Sequence, residues 1–356
     1  MRKYYVDNIR WITVLLVVVY HVIYMFNSIL TEGVIGPVNS FHGQDVVEYL
    51  LYPWFMVILF IISGMSAKFY LDSHSGKEFI KARTRKLLVP STIGLFVFQW
   101  LQGYVSMSIS DAFSNMPATM PKPVLYLIMV LSGTGVLWTI QMMWIFSVLL
   151  LLIRKLEKGR LVKVAEKSNI VVLLLLGILV FGAAQVLNAP IISVYRFGIY
   201  GICFLLGYYM FSSDRVIERL EKYRILLVAA SLVLGVTYTV LYYGENYAVA
   251  PCVNSPLAIA YAWIACLAIL AAAKHLLNRT GAFAKFMTKK SFGLYVFHYL
   301  AMSATAYTLV TYTNMPGAMV YLITLIASFA GGLLLYEIVS RIPVVRWCVL
   351  GMKKEK

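Results

Sequence analysis

The sequence predicts an all-α protein, a polytopic bundle of transmembrane helices. Composition, the length of the apolar runs and the placement of the basic residues each indicate it. Of 356 residues, 61% are hydrophobic and 13% are charged, whereas a soluble domain is about 45–50% apolar and about 25% charged. The apolar runs are about 20 residues long, which is the length an α-helix needs to cross the roughly 30 Å of bilayer hydrocarbon.

Ten such runs are present, and we predict that each crosses the bilayer. They are 9–30, 46–70, 87–108, 136–153, 170–187, 193–211, 225–243, 256–273, 291–312 and 317–340. The first is too long for the apolar core of a signal peptide, and no small-residue cleavage site follows it. The apolar segment 123–135 is short, and we expect it to lie at the interface or to re-enter the membrane.

The basic residues alternate along the chain. All but two of the 31 Lys and Arg residues fall in the N-terminal segment, in every second connection or in the C-terminal segment. These segments are the residues up to 10, then 68–86, 154–167, 215–224, 274–290 and 341–356; Lys122 and Arg196 are the two exceptions. Short basic connections stay in the cytoplasm, so both termini are predicted to be cytoplasmic. The net charge of +16 therefore requires no nucleic-acid partner.

The stretch RWITVLLVVVYH joins Arg10 at the start of the first run to His21 near its middle. Eleven residues of α-helix rise about 16.5 Å and return to within about 20° of the starting direction, so the two side chains share one face. A second histidine, His298, is predicted about two turns into the ninth span. Ionisable groups at this depth are costly unless they face the protein interior.

The histidines alone leave several alternatives open. One alternative is that each histidine only packs against a neighbouring helix and hydrogen-bonds to it. A neutral imidazole can also take a proton from a hydroxyl group, as acyl transfer to an alcohol requires. A proton-coupled transporter, with His21 and His298 as a relay, needs the same property. Transporters often contain repeated halves, and no internal repeat is evident in this sequence.

Polar residues near the ends of the spans are further candidates. Arg83, Arg85 and Lys86 precede the third span, where they can hold a phosphate group or serve only as cytoplasmic charge. Asp7 and Asn8 are expected to precede the first helix and cap it, with Asp7 pairing with Arg10 one turn on.

Two segments within the spans are also candidates. Ser63 and Gly64 allow either close helix packing or a narrow slot for an extended substrate. Trp138 is expected at the membrane interface. Gln141 is expected one turn deeper, where it would face the same cavity as His21. The four cysteines show no metal-ligand spacing, so we expect them to pack in the interior and expect no metal site.

Five motifs occur in a familiar order: YVDNIRW followed by VVYH, then FIISG, RTRKLLVP, LWTIQMMW and SFGLYVFH. With them the chain resembles acyltransferase family 3, the integral-membrane acyltransferases that decorate bacterial surface polysaccharides. The opening DNIR is most similar to the branch that contains periplasmic-glucan succinyltransferases, alongside O-antigen acetylases. The resemblance covers nearly the whole chain, and its most specific element is the spacing of Arg10 and His21.

The resemblance implies a function and roles for particular residues. His21 corresponds to the essential histidine of the family, and Arg10 to its basic partner. The arginine pair before the third span corresponds to Arg83 and Lys86; the second member is lysine here, so Arg85 is an alternative.

The resemblance also implies the substrates. The donor would be cytoplasmic acyl-coenzyme A, acetyl or succinyl, with its pantetheine arm passing Ser63 and Gly64. The acceptor would be a hydroxyl group outside the cytoplasm, such as that of a glycan, and we place Trp138, Gln141 and His298 beside the substrates. We expect a multi-pass protein of the bacterial inner membrane, with residues 1–356 forming one acyltransferase domain and no appended soluble domain.

Overall fold

The computed structural model describes residues 3–29, 31–189 and 194–353, and these residues form helices and no β-strand. The all-α prediction is confirmed. Leu30 and residue 193, which end the first predicted span and begin the sixth, lie outside the described residues. So do residues 354–356 of the basic C-terminal segment.

The described residues contain fifteen α-helices, numbered here in chain order. They are α1 (Tyr4–Met25), α2 (Val46–Leu71), α3 (Gly76–Arg83), α4 (Trp100–Ile109), α5 (Lys122–Ser132), α6 (Trp138–Glu157), α7 (Arg160–Lys167), α8 (Ile170–Ala184), α9 (Phe197–Leu206), α10 (Asp214–Lys222), α11 (Arg224–Tyr242), α12 (Pro256–Leu276), α13 (Ala282–Tyr312), α14 (Gly317–Arg341) and α15 (Pro343–Leu350). Three π-helical stretches adjoin them, at Thr84–Leu88, Leu95–Gln99 and Gly207–Phe211.

Six helical segments within the described residues are long and apolar enough to cross a membrane. They are Tyr4–Met25, Gly43–Leu71, Gly135–Glu157, Arg224–Tyr242, Pro256–Leu276 and Gly317–Arg341. Three more apolar helices, Lys122–Ser132, Ile170–Ala184 and Phe197–Phe211, are shorter. The count of ten spans and the cytoplasmic position of both termini stay predictions.

The predicted third span, 87–108, is not one regular helix. A turn that includes Pro90 follows the first π-helical stretch, and the second stretch precedes α4. Proline has no N–H group and cannot continue a helical hydrogen-bond ladder. The short apolar segment that follows forms α5, whose 11 residues rise about 16 Å.

The capping prediction for the first helix is wrong. Because α1 begins at Tyr4, Asp7 and Asn8 lie inside it. The Asn8 side chain instead donates to the carbonyl oxygens of Leu277 at 2.6 Å and Arg279 at 2.8 Å. It thereby holds the start of α1 against the end of α12.

The chain divides into two compact units. Unit 1 comprises the residues through Thr13, Glu48–Lys81 and Met142–Thr288; unit 2 comprises Val14–Val47, Ala82–Gln141 and the residues from Lys289 onward. The single-domain organisation stays a prediction.

In unit 1, α2 lies in close contact with α9 and with the π-helical stretch that follows it. A Cβ on Gly64 would lie 1.9 Å from the carbonyl oxygen of Phe204, and one on Gly207 would lie 2.1 Å from that of Ile61. Both glycines therefore let backbone meet backbone. On α12, the buried Trp263 donates from its ring N–H to Leu173 of α8 at 3.0 Å, which satisfies a polar group inside an apolar region.

Unit 2 is built on the second half of α1 and on α13 and α14. Buried apolar side chains of these three helices, together with Phe26 directly after α1, form its core: Val22, Met25, Phe26, Met302, Ala306 and Val320. Gly332 of α14 lies against α13, since a Cβ there would be 3.2 Å from the Cα of His298. This core therefore holds the backbone around His298 in place.

Candidate active site

The two histidines predicted at membrane depth meet in unit 2. His21 lies on α1 and His298 on α13, and Nδ1 of His21 is 3.2 Å from Nε2 of His298. The ring centroids are 5.1 Å apart. Residues separated by 277 positions in the sequence thus form one hydrogen-bonded pair, which we call the histidine pair.

The partners of each ring determine which nitrogen carries the proton. Nδ1 of His298 is 2.9 Å from the carbonyl oxygen of Tyr295 and 3.2 Å from that of Leu294. Carbonyl oxygens only accept, so in the neutral ring Nδ1–H is the donor and Nε2 is the acceptor. Nδ1–H of His21 then donates to Nε2 of His298 and to the carbonyl oxygen of Val17 at 2.9 Å. This leaves the lone pair of His21 on Nε2.

The two rings differ in exposure. His298 is fully buried, whereas His21 is half-buried. Within the described part of the chain, Nε2 of His21 has no hydrogen-bond partner. The arrangement therefore fixes the His21 ring through Nδ1 and leaves the basic Nε2 available to a substrate, as a general base requires.

Aromatic rings enclose His21 on several sides. The Tyr299 ring packs edge-on against it at a centroid distance of 5.1 Å, and the Tyr20 ring does so at 5.2 Å. The Tyr24 ring lies 6.2 Å away. These contacts restrict rotation of the imidazole and reduce the access of water.

A hydrogen bond one turn earlier positions α13. The hydroxyl of Tyr295 donates to the carbonyl oxygen of Val136 at 2.6 Å and is 2.9 Å from the hydroxyl of Thr139. Because Tyr295 also provides a carbonyl partner for His298, the link to the start of α6 fixes the backbone that orients the pair.

Arg10 is held by other groups, among them Asp7 and Ser66 of unit 1. It pairs with Asp7 at 3.2 Å, as predicted, and donates to the hydroxyl of Ser66 at 2.6 Å. Ser66 in turn donates to the carbonyl oxygen of Ile62 at 2.8 Å. The guanidinium group is thus fixed against α2, with its side chain 40% exposed.

The predicted phosphate-binding residues occupy the junction after α3. Arg83 is its last residue, and Arg85 and Lys86 lie in the π-helical stretch Thr84–Leu88. Irregular helical stretches of this kind often occur at functional sites. Lys86 is exposed, and the two arginines are half-buried.

The structure favours packing over a substrate slot at Gly64, because α9 occupies the space beside it. Ser63 is buried, and its role in donor binding stays a prediction.

Gln141 and Trp138 begin α6. The side-chain amide of Gln141 donates to the carbonyl oxygen of Ser91 at 2.9 Å, in the turn after the first π-helical stretch. Trp138 is half-buried. Their roles at the substrates stay predictions.

Sequence reasoning missed three residues of this region. Tyr295 and Tyr299 flank His298 on the same helix, and Ser66 lies two positions after Gly64. A polar or aromatic side chain three or four residues from a buried histidine shares its helix face, and this signal pointed to Tyr295, three residues before His298. Tyr299 directly follows His298, so this spacing did not indicate it. No signal indicated Ser66, because its partner is on another helix.

No group of three or more metal-ligating side chains occurs among the residues that the structure describes. All four cysteines are buried and unpaired.

Residues 3–337 match the family model of an acyltransferase domain, that of family 3. The chain belongs to acyltransferase family 3. No curated protein and no solved structure matches it significantly. The matched region of this family 3 acyltransferase contains α1 and α13, and with them both histidines. The match confirms the resemblance and favours the enzyme over the transporter alternative, whereas the branch within the family stays a prediction.

Proposed function

We propose that the protein is an integral-membrane O-acyltransferase that moves an acetyl or succinyl group from acyl-coenzyme A to a hydroxyl group of an extracytoplasmic acceptor, most simply a glycan. The observation that supports this proposal is the histidine pair. It leaves Nε2 of His21 oriented and without a partner among the described residues.

His21 would act as the general base. Its Nε2 takes the proton of the acceptor hydroxyl as that oxygen attacks the thioester carbonyl carbon. The tetrahedral intermediate then collapses, the carbon–sulfur bond breaks, and the ester and the coenzyme thiolate form. The thiolate receives the proton from Nε2–H, which restores the neutral imidazole.

His298 would stabilise the charged form of His21. When Nε2 gains a proton, the imidazolium ring donates a stronger, charge-assisted bond from Nδ1–H to Nε2 of His298. The buried partner also prevents the ring from turning. The orientation is in place before the acceptor arrives, so no energy is spent on it during the reaction.

The donor would bind from the cytoplasm. Arg83, Arg85 and Lys86 suit the coenzyme phosphates, because arginine binds phosphate with two parallel bonds and lysine as a point charge. The polar connections 31–48, 108–123 and 243–255 would face the acceptor on the other side. In a bacterial inner membrane the acyl group would then cross while the coenzyme stays inside.

The proposal is tested with the purified protein in lipid nanodiscs. Release of coenzyme thiol is measured with acetyl- and succinyl-coenzyme A, with and without soluble glycan. We expect turnover by the wild type, and a loss of about 100-fold or more in His21→Ala, because general-base catalysis contributes about 10²–10⁴-fold.

His74→Ala is the matched control, since His74 is exposed on the connection after α2 and should retain full activity. Wild-type turnover in His21→Ala would exclude His21 as the base. The absence of turnover by the wild type with both thioesters and added glycan would exclude this donor class.

A further inference from the structure

Besides Arg83, Arg85 and Lys86, further basic residues lie at the end of unit 2 where α14 ends. Lys290 of α13 pairs with Glu337 near the end of α14, so the α13 backbone around Lys290 lies beside the end of α14. The short helix α15 follows directly and packs on the segment before α4, since a Cβ on Gly94 would be 2.9 Å from the carbonyl oxygen of Cys348.

The turn after α15 brings Arg346 and Arg85 onto adjoining backbone. Gly351 ends the helix in the left-handed conformation, with φ +59, and a Cβ there would lie 2.1 Å from the carbonyl oxygen of Arg85. In the same turn, Met352 donates its N–H to the carbonyl oxygen of Arg346 at 3.2 Å. The two arginine side chains therefore start within reach of each other.

Neither of these side chains has a protein acceptor among the described residues. The Nε atoms of Arg85 and Arg346 are both buried and without a hydrogen-bond partner, and both residues are half-buried overall. A buried donor without an acceptor destabilises the fold. Two such donors on touching segments indicate that an anion supplies the acceptors.

The local charge supports an anionic ligand. At this end of unit 2, Arg341 and Lys353 add to the positive charge, and Glu337 is already paired with Lys290. The other carboxylates that the structure describes in unit 2 are in the connections after α1 and α4: Glu32, Asp45 and Asp111. Among the described residues, neither Arg85 nor Arg346 forms an ion pair with a carboxylate.

The exposed face of α15 indicates where this end lies. Val344 is 70% exposed and Trp347 41% exposed, whereas Cys348, Val349 and Leu350 are buried. A short helix with an exposed apolar face and a tryptophan is typical of the membrane interface. Phosphate groups are the abundant anions at that depth.

We propose that Arg85 and Arg346 together form a binding site for a phosphate group. Arg346 lies beyond residues 3–337, so the family match does not include this site. The planar guanidinium fork suits the paired oxygens of a phosphate. The phosphate would come from the headgroup of an anionic phospholipid or from coenzyme A, and only the second source rests on the proposed function.

The full chain, purified in neutral detergent, is tested against two probes. Retention of phosphatidylglycerol is titrated by native mass spectrometry, and the Kd values of coenzyme A and its 3′-dephospho form are measured by calorimetry. Arg85→Gln and Arg346→Gln are each expected to weaken at least one probe by about tenfold or more. Arg341→Gln removes an exposed charge from the same end and should weaken binding by less than about twofold, because solvent screens an exposed charge.

The pattern of losses identifies the source of the phosphate. A loss confined to phosphatidylglycerol indicates the lipid, and a loss confined to coenzyme A indicates the donor. The double variant should lose little more than either single variant, because both arginines hold one group. If the protein turns over no thioester but binds phosphatidylglycerol through both arginines, this site is supported and the proposed function is not.

The proposal would be overturned if both glutamine variants bound both probes as tightly as Arg341→Gln does. It would also be overturned if only one of the two substitutions weakened binding. If a glutamine variant does not fold, Arg85→Lys and Arg346→Lys replace it, because lysine keeps the charge without the planar fork. Several-fold weaker binding then supports the site, and unchanged binding overturns it.

Discussion

The two ends of α1 hold their ionisable side chains in different ways. Near the start, Arg10 is bonded to a carboxylate and a hydroxyl, and its side chain is 40% exposed. Near the end, His21 is bonded to a backbone carbonyl and to a second, fully buried imidazole. The first arrangement engages the charged group with protein partners, whereas the second leaves one nitrogen for chemistry.

The difference shows how surroundings decide what a polar contact contributes. An ion pair that water reaches contributes little, typically less than about 1 kcal/mol, because solvent screens it. A hydrogen bond inside apolar surroundings is stronger, and an unmatched group there is costly. Substitutions at the buried end should therefore change the rate more than those at the exposed end.

After His21 itself, the largest effect is expected at His298. His298→Ala removes the acceptor of the His21 Nδ1–H bond, so the base loses its orientation and the support of its charged form. We expect kcat to decrease by about 100-fold, with little change in KM. His298→Gln should recover part of this loss, because the glutamine oxygen can accept near the position of Nε2. Thiol-release kinetics measure both.

A structural role alone would give a different result. If His298 only filled space, His298→Leu would match His298→Gln in kcat, and thermal unfolding would account for any loss. Equal activity of the leucine and glutamine variants, both folded, would contradict the positioning role.

Sequence predicted the depth of both histidines but not their meeting. The apolar runs and the 3.6-residue period place each along its own helix, which depends only on local pattern. The pairing depends on how α1, α13 and α14 pack, including the close approach at Gly332. No local pattern encodes contacts between residues so far apart in the chain.

The same limit applies to Asn8 and Gly64. Asn8 has the properties of a helix cap, but tertiary bonds to the end of α12 hold it inside the helix. Gly64 suits a slot or a close contact equally well by sequence, and only the position of α9 decides between them.

The next largest effect is expected at Arg10. If Arg10 acts in catalysis as the resemblance implies, Arg10→Gln should lower kcat/KM by about tenfold, a typical loss for one charge-assisted hydrogen bond. Ser66→Ala should lower it by less than about threefold, because the bond to Asp7 remains. Equal losses in the two variants would indicate that Arg10 contributes only through its hydrogen bond to Ser66 of α2.

A smaller effect is expected at Tyr299, whose ring packs edge-on against His21. Tyr299→Phe keeps this ring contact and should leave kcat within about twofold. Tyr299→Leu removes it and should cost several-fold, in line with the 0.5–1.5 kcal/mol typical of an aromatic pair. A loss in Tyr299→Phe as large as that in Tyr299→Leu would shift the role from the ring to the hydroxyl.

The smallest effect is expected at a fully exposed contact, the cap of α3. The Glu78 carboxylate accepts from the N–H of Ser75 at 2.9 Å and from its hydroxyl at 2.8 Å, and these bonds lower the pKa of Glu78. A lowered pKa means that the stabilisation is present at neutral pH and is lost as the pH falls through the folded-state value. Glu78→Gln should therefore decrease the thermal midpoint slightly at pH 7, and the difference from wild type should vanish once the pH is below the folded-state pKa. Acyl transfer at pH 7 should stay unchanged, because the Glu78 carboxylate is exposed and bonds to Ser75 beside it. A midpoint difference that grows on acidification would show that the charge of Glu78 opposes folding. Solvent screening would then not explain why exposed polar contacts contribute less than buried ones.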